Sequence, residues 1–356
     1  MFYLKELSLN NFRCYKHKKI TFKNKINILV GKNATGKTSL VEAIYVLIGC
    51  KSHRAKSDSE IIMKNTDYYL VKGEFCDDVD TNIMVSSSKE GKKVIKDNKG
   101  FSSLSDYIGL YGAVMFCPED LMLITKDPAT RRRFLDQSIS QFNKTYLESL
   151  IKYKKLLKQR NELLKNYDSS AQKVAMLNVY TQALINEATI IINERQKFIE
   201  NLNPFFDKAV KVISSGEESA KIIYSPNCTI EKLTSSFADR QNYDIITKTT
   251  STGPHRDDFN VYLNDMDGGI YCSQGQQKTL ALAIKLGLAE MLRRINPKMV
   301  IILDDVFGEL DENRQNELLK LFDLDNQIFI TTTSIDNLDN RIISESNVVE
   351  INKDGE

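Results

Sequence analysis

The sequence predicts an α/β fold interrupted by an inserted helical lobe. Three observations carry that reading. Continuous apolar runs, the mark of buried strands, stand near both chain ends at residues 26–30, 299–307 and 327–333. The first runs into a glycine-bounded loop and then a helix pattern, and the second contains two adjacent acids. In the middle of the chain, apolar residues instead recur every three or four positions, the period of a helix.

Taken in order, LKELSLNNF (4–12) alternates apolar and polar residues, ITF (20–22) follows, and INILV (26–30) is a buried-strand run. GKNATGKTSLVEAIYVLIG (31–49) then reads as a loop followed by a helix with Leu40, Ala43, Ile44, Leu47 and Ile48 on one side. Residues 67–100 alternate around Gly73 and Gly91, as hairpins do. The texture changes near Pro128. Ile139, Phe142, Tyr146, Leu150, Tyr153, Leu157 and Leu164 form one apolar stripe, and Val174, Leu177, Leu184, Ala188, Ile191, Phe198 and Leu202 another. The polar stretch NYDSSAQ (166–172) joins them, which predicts an antiparallel helical hairpin. Each helix should be about 45–50 Å long at roughly 1.5 Å per residue, with Pro204 closing the second. A strand is expected at 221–225. The apolar strands at 299–307 and 327–333 complete the α/β part. The predicted division is one lobe from residues 1–116 and 296–356, and a second from 117–295 that carries the helical arm, about 130–205.

Bulk composition fits a soluble globular protein: 42% hydrophobic and 27% charged residues over 356 positions. A net charge of +2 confines any basic surface to local patches. Six scattered cysteines without a C-x-x-C pair, and only three histidines, argue against a disulfide framework or a zinc module and fit a reducing cytoplasm. The N-terminal residues lack a secretory h-region, and no apolar stretch is long enough to span a bilayer.

Residues 31–38, GKNATGKT, match G-x-x-x-x-G-K-[ST] between a buried strand and a helix. Such a loop points backbone N–H groups at phosphate oxygens, and the helix N-terminus adds its positive dipole end. Lys37 can reach β- and γ-phosphates, and the Thr38 hydroxyl can ligate Mg²⁺. The acids after residues 300–303 sit where α/β sheets bind ligands. Asp304 suits Mg²⁺ binding, and Asp305 suits polarising an attacking water. Ser273 reads most simply as the N-cap of a long helix that opens with SQGQQ (273–277).

These three features together resemble the ABC-type ATPase heads, with SQGQQ in the place of an L-S-G-G-Q signature loop. Gln274 stands where the first glycine is usual, and GELD (308–311) looks like the D-loop. NFR (11–13), SHR (52–54), FCPEDLMLITKDPATRRRFLD (116–136), TGPHRDD (252–258) and SQGQQKTLALAIKLGLAE (273–290), with the phosphate loop, resemble the RecF recombination-mediator family along nearly the whole chain. The resemblance implies an ABC-type P-loop ATPase head related to SMC proteins, with a short antiparallel coiled-coil arm on the inserted lobe. It implies an ATP-dependent homodimer on double-stranded DNA or at single-strand gap junctions, with weak DNA-stimulated hydrolysis. RecO and RecR are the implied partners in gap repair, with a cytoplasmic, nucleoid-associated location and no membrane. By the same resemblance, Arg13 would reach the nucleotide, with Ser52 and Arg54 as weaker candidates.

The catalytic set so expected is Lys37, Asp305 and Ser273. The nucleotide-binding set is Arg13, Gly31, Lys32, Asn33, Ala34, Thr35, Gly36, Lys37, Thr38, Ser39, Ser273, Gly275 and Gln276, with Thr38 and Asp304 as Mg²⁺ ligands. Each ATP would lie between one subunit's Lys37 loop and the partner's 273–276 loop. Departures from the ABC pattern are a missing Q-loop glutamine (the chain reads FCPED at 116–120), Asp305 in place of a common Glu, and threonines 331–333 where a switch histidine is usual. Another SMC-like head with a different chromosome role, a nearly inactive ATP-binding scaffold and a P-loop kinase of a small molecule are the rival readings.

The acids and histidine of GPHRDD read as an ion-pair knot near the signature, with Arg256 paired to an acid, in preference to a metal cluster. Arginines 131–133 could contact phosphates, cap a helix or bridge the lobes. Residues 144–165 hold seven Lys or Arg against two Glu, either a DNA-backbone face or a solvated coil face. KEGKKVIKDNKG (89–100) is a second basic patch of the same kind.

Overall fold

The computed structural model describes residues 2–23, 25–77, 79–125, 128–168, 170–307, 315, 318, 326–335, 338 and 340–352. Its contacts separate two units, Met1–Asp120 with Leu282–Glu356, and Leu121–Ala281.

The first unit begins with β1 (Tyr3–Phe12), β2 (Tyr15–Thr21) and β3 (Ile26–Val30), followed by α1 (Lys37–Gly49). β4 (Tyr68–Cys76), β5 (Thr81–Ser88), β6 (Gly91–Lys96) and β7 (Lys99–Gly100) come next, then α2 (Leu104–Tyr107) and β8 (Gly112–Phe116). Among the described residues, an antiparallel sheet has the order β2-β1-β4-β5-β6-β7. Its strands bury alternate residues, Ile83 and Val85 on β5 for example, as a sheet with one covered face requires.

The second unit contains α3 (Met122–Thr125), α4 (Pro128–Ser140), α5 (Lys144–Lys165) and α6 (Ala171–Ile213), then β9 (Ala220–Ser225) and α7 (Leu233–Thr247). β10 (Asp258–Leu263) and β11 (Met266–Asp267) form an antiparallel sheet with β9, in the order β11-β10-β9. α8 (Gln274–Ile295) starts in this unit and ends in the first. The first unit is completed by β12 (Met299–Asp304), β13 (Gln327–Thr332), α9 (Asn340–Glu345) and β14 (Ser346–Glu350).

β14-β3-β13-β12-β8 form a wholly parallel sheet, and β12 and β13 are buried at every position, as a sheet covered on both faces demands. α1 touches β1, β4 and β5 of the antiparallel sheet and β8, β12 and β13 of the parallel one. This position between two sheets buries the helix all round from Leu40 to Ile48, Glu42 included, in place of the one-sided apolar face expected. Each Leu, Ile or Val so enclosed contributes about 1.5–3 kcal/mol. The chain's two ends meet here. The Gln327 amide donates to the Leu4 carbonyl (2.9 Å) and accepts from the Leu4 N–H (2.8 Å).

The helical arm differs from the expected pair of equal helices. The first apolar stripe breaks into α4 and α5, because the Asn143 side chain caps α5 by accepting from the Tyr146 N–H (2.9 Å). The second stripe does not end at Pro204, which lies inside α6. Leu202, Phe206 and Val210 continue the buried face past it, and Asn203 and Asp207 bond the backbone of β9 at Ile222 and Ala220. This packing outweighs the roughly 3 kcal/mol that a proline costs inside a helix. At roughly 1.5 Å per residue, α5 spans about 33 Å and α6 about 65 Å.

Candidate functional site

The loop 31–36 leaves β3 at the carboxyl edge of the parallel sheet and turns into α1. Gly36 is left-handed (φ 105°), and a Cβ there would meet the Tyr15 hydroxyl at 2.3 Å. A Cβ on Gly31 would meet the Ile351 carbonyl oxygen at 2.3 Å, so neither position admits a side chain. Lys32, Asn33 and Ala34 form the loop's exposed outer turn, with Ala34 also left-handed, and Thr35 ties it by donating to the Lys32 carbonyl (2.9 Å). The Lys37 ammonium folds back over the loop and donates to the carbonyls of Gly31 (2.7 Å) and Lys32 (2.9 Å). Ser39 is half-buried in the first helical turn.

Strand order brings the acids to the same edge. β3 neighbours β13, β13 neighbours β12, and Asp304 stands in register with Thr331. The Thr38 hydroxyl (3.1 Å) and the Thr331 hydroxyl (2.7 Å) both donate to one Asp304 carboxylate oxygen. The Thr331 hydroxyl in turn accepts from the Asp305 N–H (2.9 Å). Burial pushes the Asp304 carboxyl up, against these hydrogen bonds. Asp305 is exposed and left-handed (φ 53°), the kind of backbone outlier that concentrates at functional sites. Lys37, Thr38, Asp304 and Asp305 are thus gathered at one sheet edge. Thr331 belongs with them, although the sequence marked it only as the absence of a histidine.

Arg13 is placed against Glu42, which the sequence did not single out. Its Nε and Nη2 donate to the two Glu42 oxygens (2.8 and 2.6 Å), and its Nη1 donates to the Glu60 carbonyl (2.6 Å). Arg54 and Ser52 reach the same carboxylate. At the position of the missing Q-loop glutamine, Glu119 is exposed, and Asp120 accepts from the Cys117 N–H (2.9 Å) and pairs with Lys285 (3.1 Å).

In the second unit, residues 273–276 form a reciprocal capping box. The Ser273 hydroxyl accepts from the Gln276 N–H (3.3 Å), and the Gln276 side chain accepts from the Ser273 N–H (3.0 Å). The N-cap reading of Ser273 therefore stands as structure. Gln276 also donates to Glu218 (2.7 Å), and Ser273 and Gln274 are exposed at the helix start, followed by half-buried Gly275. Residues 308–311, read as the D-loop, lie outside the described residues.

The GPHRDD motif is an ion-pair knot, with partners other than those expected. Arg256 is exposed and pairs with no acid among the described residues. Asp257 accepts from Arg195 (3.0 Å), Tyr224 and the Asn227 N–H (2.8 Å), while Arg131 binds Asp258 with two nitrogens (2.6 and 2.9 Å). Arg132 donates to the Asp257 carbonyl (2.8 Å). Two of the three arginines 131–133 thus brace β10 from within the unit. His255 bonds Tyr153 (2.6 Å), and burial pushes its pKa down to about 4. On the arm, Arg160 is not a surface cation. It is fully buried and donates to Asp244 (2.8 Å), Thr250 (2.8 Å) and Thr181 (3.1 Å). Lys144, Lys154 and Lys165 have carboxylate partners, which leaves Lys152, Lys155 and Lys158 as exposed α5 cations without an ion pair among the described residues. In the 89–100 patch, Lys89, Lys92 and Lys93 are each paired to an acid.

Residues 3–353 match the RecF/RecN/SMC N terminal domain family. The DNA replication and repair protein RecF of Bacillus thuringiensis (strain Al Hakam) is 36% identical, over 98% of this chain and 96% of its own. Its counterpart in Bacillus cereus (strain AH187) matches equally. Among solved structures, the recombination mediator protein RecF-ATPrS in the RecFOR pathway superposes with a TM-score of 0.87 at 32% identity, covering 98% of this chain and 96% of that one. The corresponding RecF-ATP structure gives 0.86 at 33% identity, covering 95% and 94%. An Smc head domain from Pyrococcus furiosus, at 16% identity and TM-score 0.53 over 99% and 94% of the chains, shares the fold.

Proposed function

This chain belongs to the RecF family, with the ABC/SMC-like head fold, and from that premise we propose that it is an ATP-dependent, DNA-binding recombination mediator. The observation that carries the reading is the convergence of Thr38 and Thr331 on Asp304 beside the Lys37 loop. ATP phosphates fit against the N–H groups of loop 31–36, with the Lys37 ammonium exchanging the Gly31 and Lys32 carbonyls for β- and γ-phosphate oxygens. The Thr38 hydroxyl and the Asp304 carboxylate are hard oxygen donors of the kind Mg²⁺ takes. When bound, that ion supplies charge neutralisation at the phosphates. Asp305, exposed just past the strand end, takes a proton from the attacking water. Its side chain is shorter than a glutamate's, which favours slow turnover.

Ser273, Gly275 and Gln276 serve the partner subunit's nucleotide. The Ser273 hydroxyl uses a lone pair on the Gln276 N–H and keeps its proton for a phosphate oxygen, and the helix N-terminus adds favourable dipole. ATP therefore drives a homodimer, which grips double-stranded DNA or a gap junction, works with RecO and RecR, and opens on hydrolysis. The arm's Lys152, Lys155 and Lys158 supply backbone contacts. A cytoplasmic site on the nucleoid accords with this role, and among the described residues no helix is long and apolar enough to cross a membrane.

Steady-state ATP turnover with and without duplex DNA tests the reading. Slow hydrolysis that rises on adding DNA is expected. Turnover indifferent to DNA, or phosphoryl transfer to a small acceptor by a monomer, contradicts it.

A further inference from the structure

Glu42 lies one helical turn beyond Thr38 on α1, so the two share a helix face. Its carboxylate is fully buried, yet it receives two guanidinium groups and a hydroxyl. Arg13 binds both of its oxygens, Arg54 donates through Nε (3.2 Å) and Nη2 (2.8 Å), and Ser52 adds a third donor. Burial alone would push this carboxyl up; the bonds from Arg13, Arg54 and Ser52 overcome it and hold the pKa at about 2.

We infer that Glu42 is a positioning residue that presents Arg13 and Arg54 as a fixed pair of cations to the polyphosphate at the adjoining loop. The inference rests on the reading of that loop as an ATP site. Two arginines on one carboxylate keep a net positive charge. Their side chains are 21% and 39% exposed, so neither is sealed from solvent. Arg13 is tied to the loop through its neighbours. The ideal Cβ position of Gly36 is 3.0 Å from Cys14 Sγ, and Tyr15 donates to the Thr35 carbonyl (3.4 Å). Ser52 fixes the turn that carries Arg54 by accepting from the N–H groups of Arg54 (3.1 Å) and Ala55 (2.8 Å). Cations held in place in this way need no reorganisation when phosphate arrives, which is the source of their advantage over mobile side chains.

Equilibrium titration with a fluorescent ATP analogue and Mg²⁺ tests this in the full chain. Glu42→Gln should weaken binding about tenfold, the scale of a lost hydrogen bond to a charged group. In a background carrying Arg13→Ala and Arg54→Ala, the same change should cost no more than about twofold, because coupled residues are non-additive. Wild-type or tighter binding by Glu42→Gln overturns the proposal, as does an equal loss when the arginines are absent, the mark of a packing role. If thermal unfolding shows that Glu42→Gln does not fold, Arg13→Ala and Arg54→Ala are each measured alone. Each leaves Glu42 one arginine, and wild-type affinity in both overturns the proposal. A wild-type chain that binds no ATP overturns the reading of the loop, whereas ATP binding untouched by Glu42→Gln overturns this inference alone.

Discussion

Thr38 and Asp304 are 266 positions apart in sequence, and the hydroxyl of one donates to the carboxylate of the other at 3.1 Å. The contact joins the start of α1 to the end of β12 and sets two hard oxygen donors side by side. Thr38→Val keeps the shape and removes the hydroxyl. It should lower Mg²⁺-dependent ATP affinity at least about tenfold, since a lost charge-assisted contact costs roughly 1.5–3 kcal/mol. Binding measured with and without Mg²⁺ checks this. An equal loss in both conditions would remove Thr38 from the metal's ligands.

Arg160 and Asp244 form an ion pair with both side chains fully buried. Asp244→Ala strands a charge in the arm and should destabilise the protein by at least about 3 kcal/mol. Arg160→Met with Asp244→Leu should recover most of that loss, because an apolar pair removes both desolvation penalties. Denaturant unfolding of the three proteins measures it, and a double variant no better than Asp244→Ala would show that the pair has a role beyond charge compensation.

Burial pushes the Asp136 carboxyl up, but Arg195 and Lys154 overcome it and hold the pKa at about 2, below its ordinary 3.8. The unfolded chain therefore binds this proton more tightly than the native one. The stabilisation is complete above pH 3.8 and is lost as the pH falls through about 2. Asp136→Asn should be less stable at neutral pH and should show a flatter decline across that acid window. A decline as steep as wild type's would assign the acid sensitivity to other groups.

Lys152, Lys155 and Lys158 recur at intervals of three along α5 and are exposed. If each meets a DNA phosphate, replacing all three with Gln should reduce the slope of log affinity against log salt by about 2 to 3, at roughly 0.9 per contact. An unchanged slope would leave this face to solvent.

Of the parallel-sheet strands, β3, β12 and β13 were legible because their apolar runs are continuous, and the phosphate loop because its glycines and lysine have fixed spacing; β8 and β14 were not read from the sequence. Other features depend on partners distant in the chain. Glu42 sits within the apolar run LVEAIYVLIG, and only folding brings Arg13 and Ser52–Arg54 to it. Thr331 gains its meaning from strand register with Asp304. Arg160 counted as one more surface cation until α7 supplied Asp244. Pro204 reads as a stop on local propensity, yet the buried stripe through Leu202, Phe206 and Val210 carries the helix through it.

The reading of the signature helix as half of a partner's site is tested most directly by light scattering with ATP and Mg²⁺ on wild type, Lys37→Met and Ser273→Arg. Wild type alone should dimerise, and Ser273→Arg should bind ATP while remaining a monomer. A Ser273→Arg protein that dimerises like wild type would contradict the account.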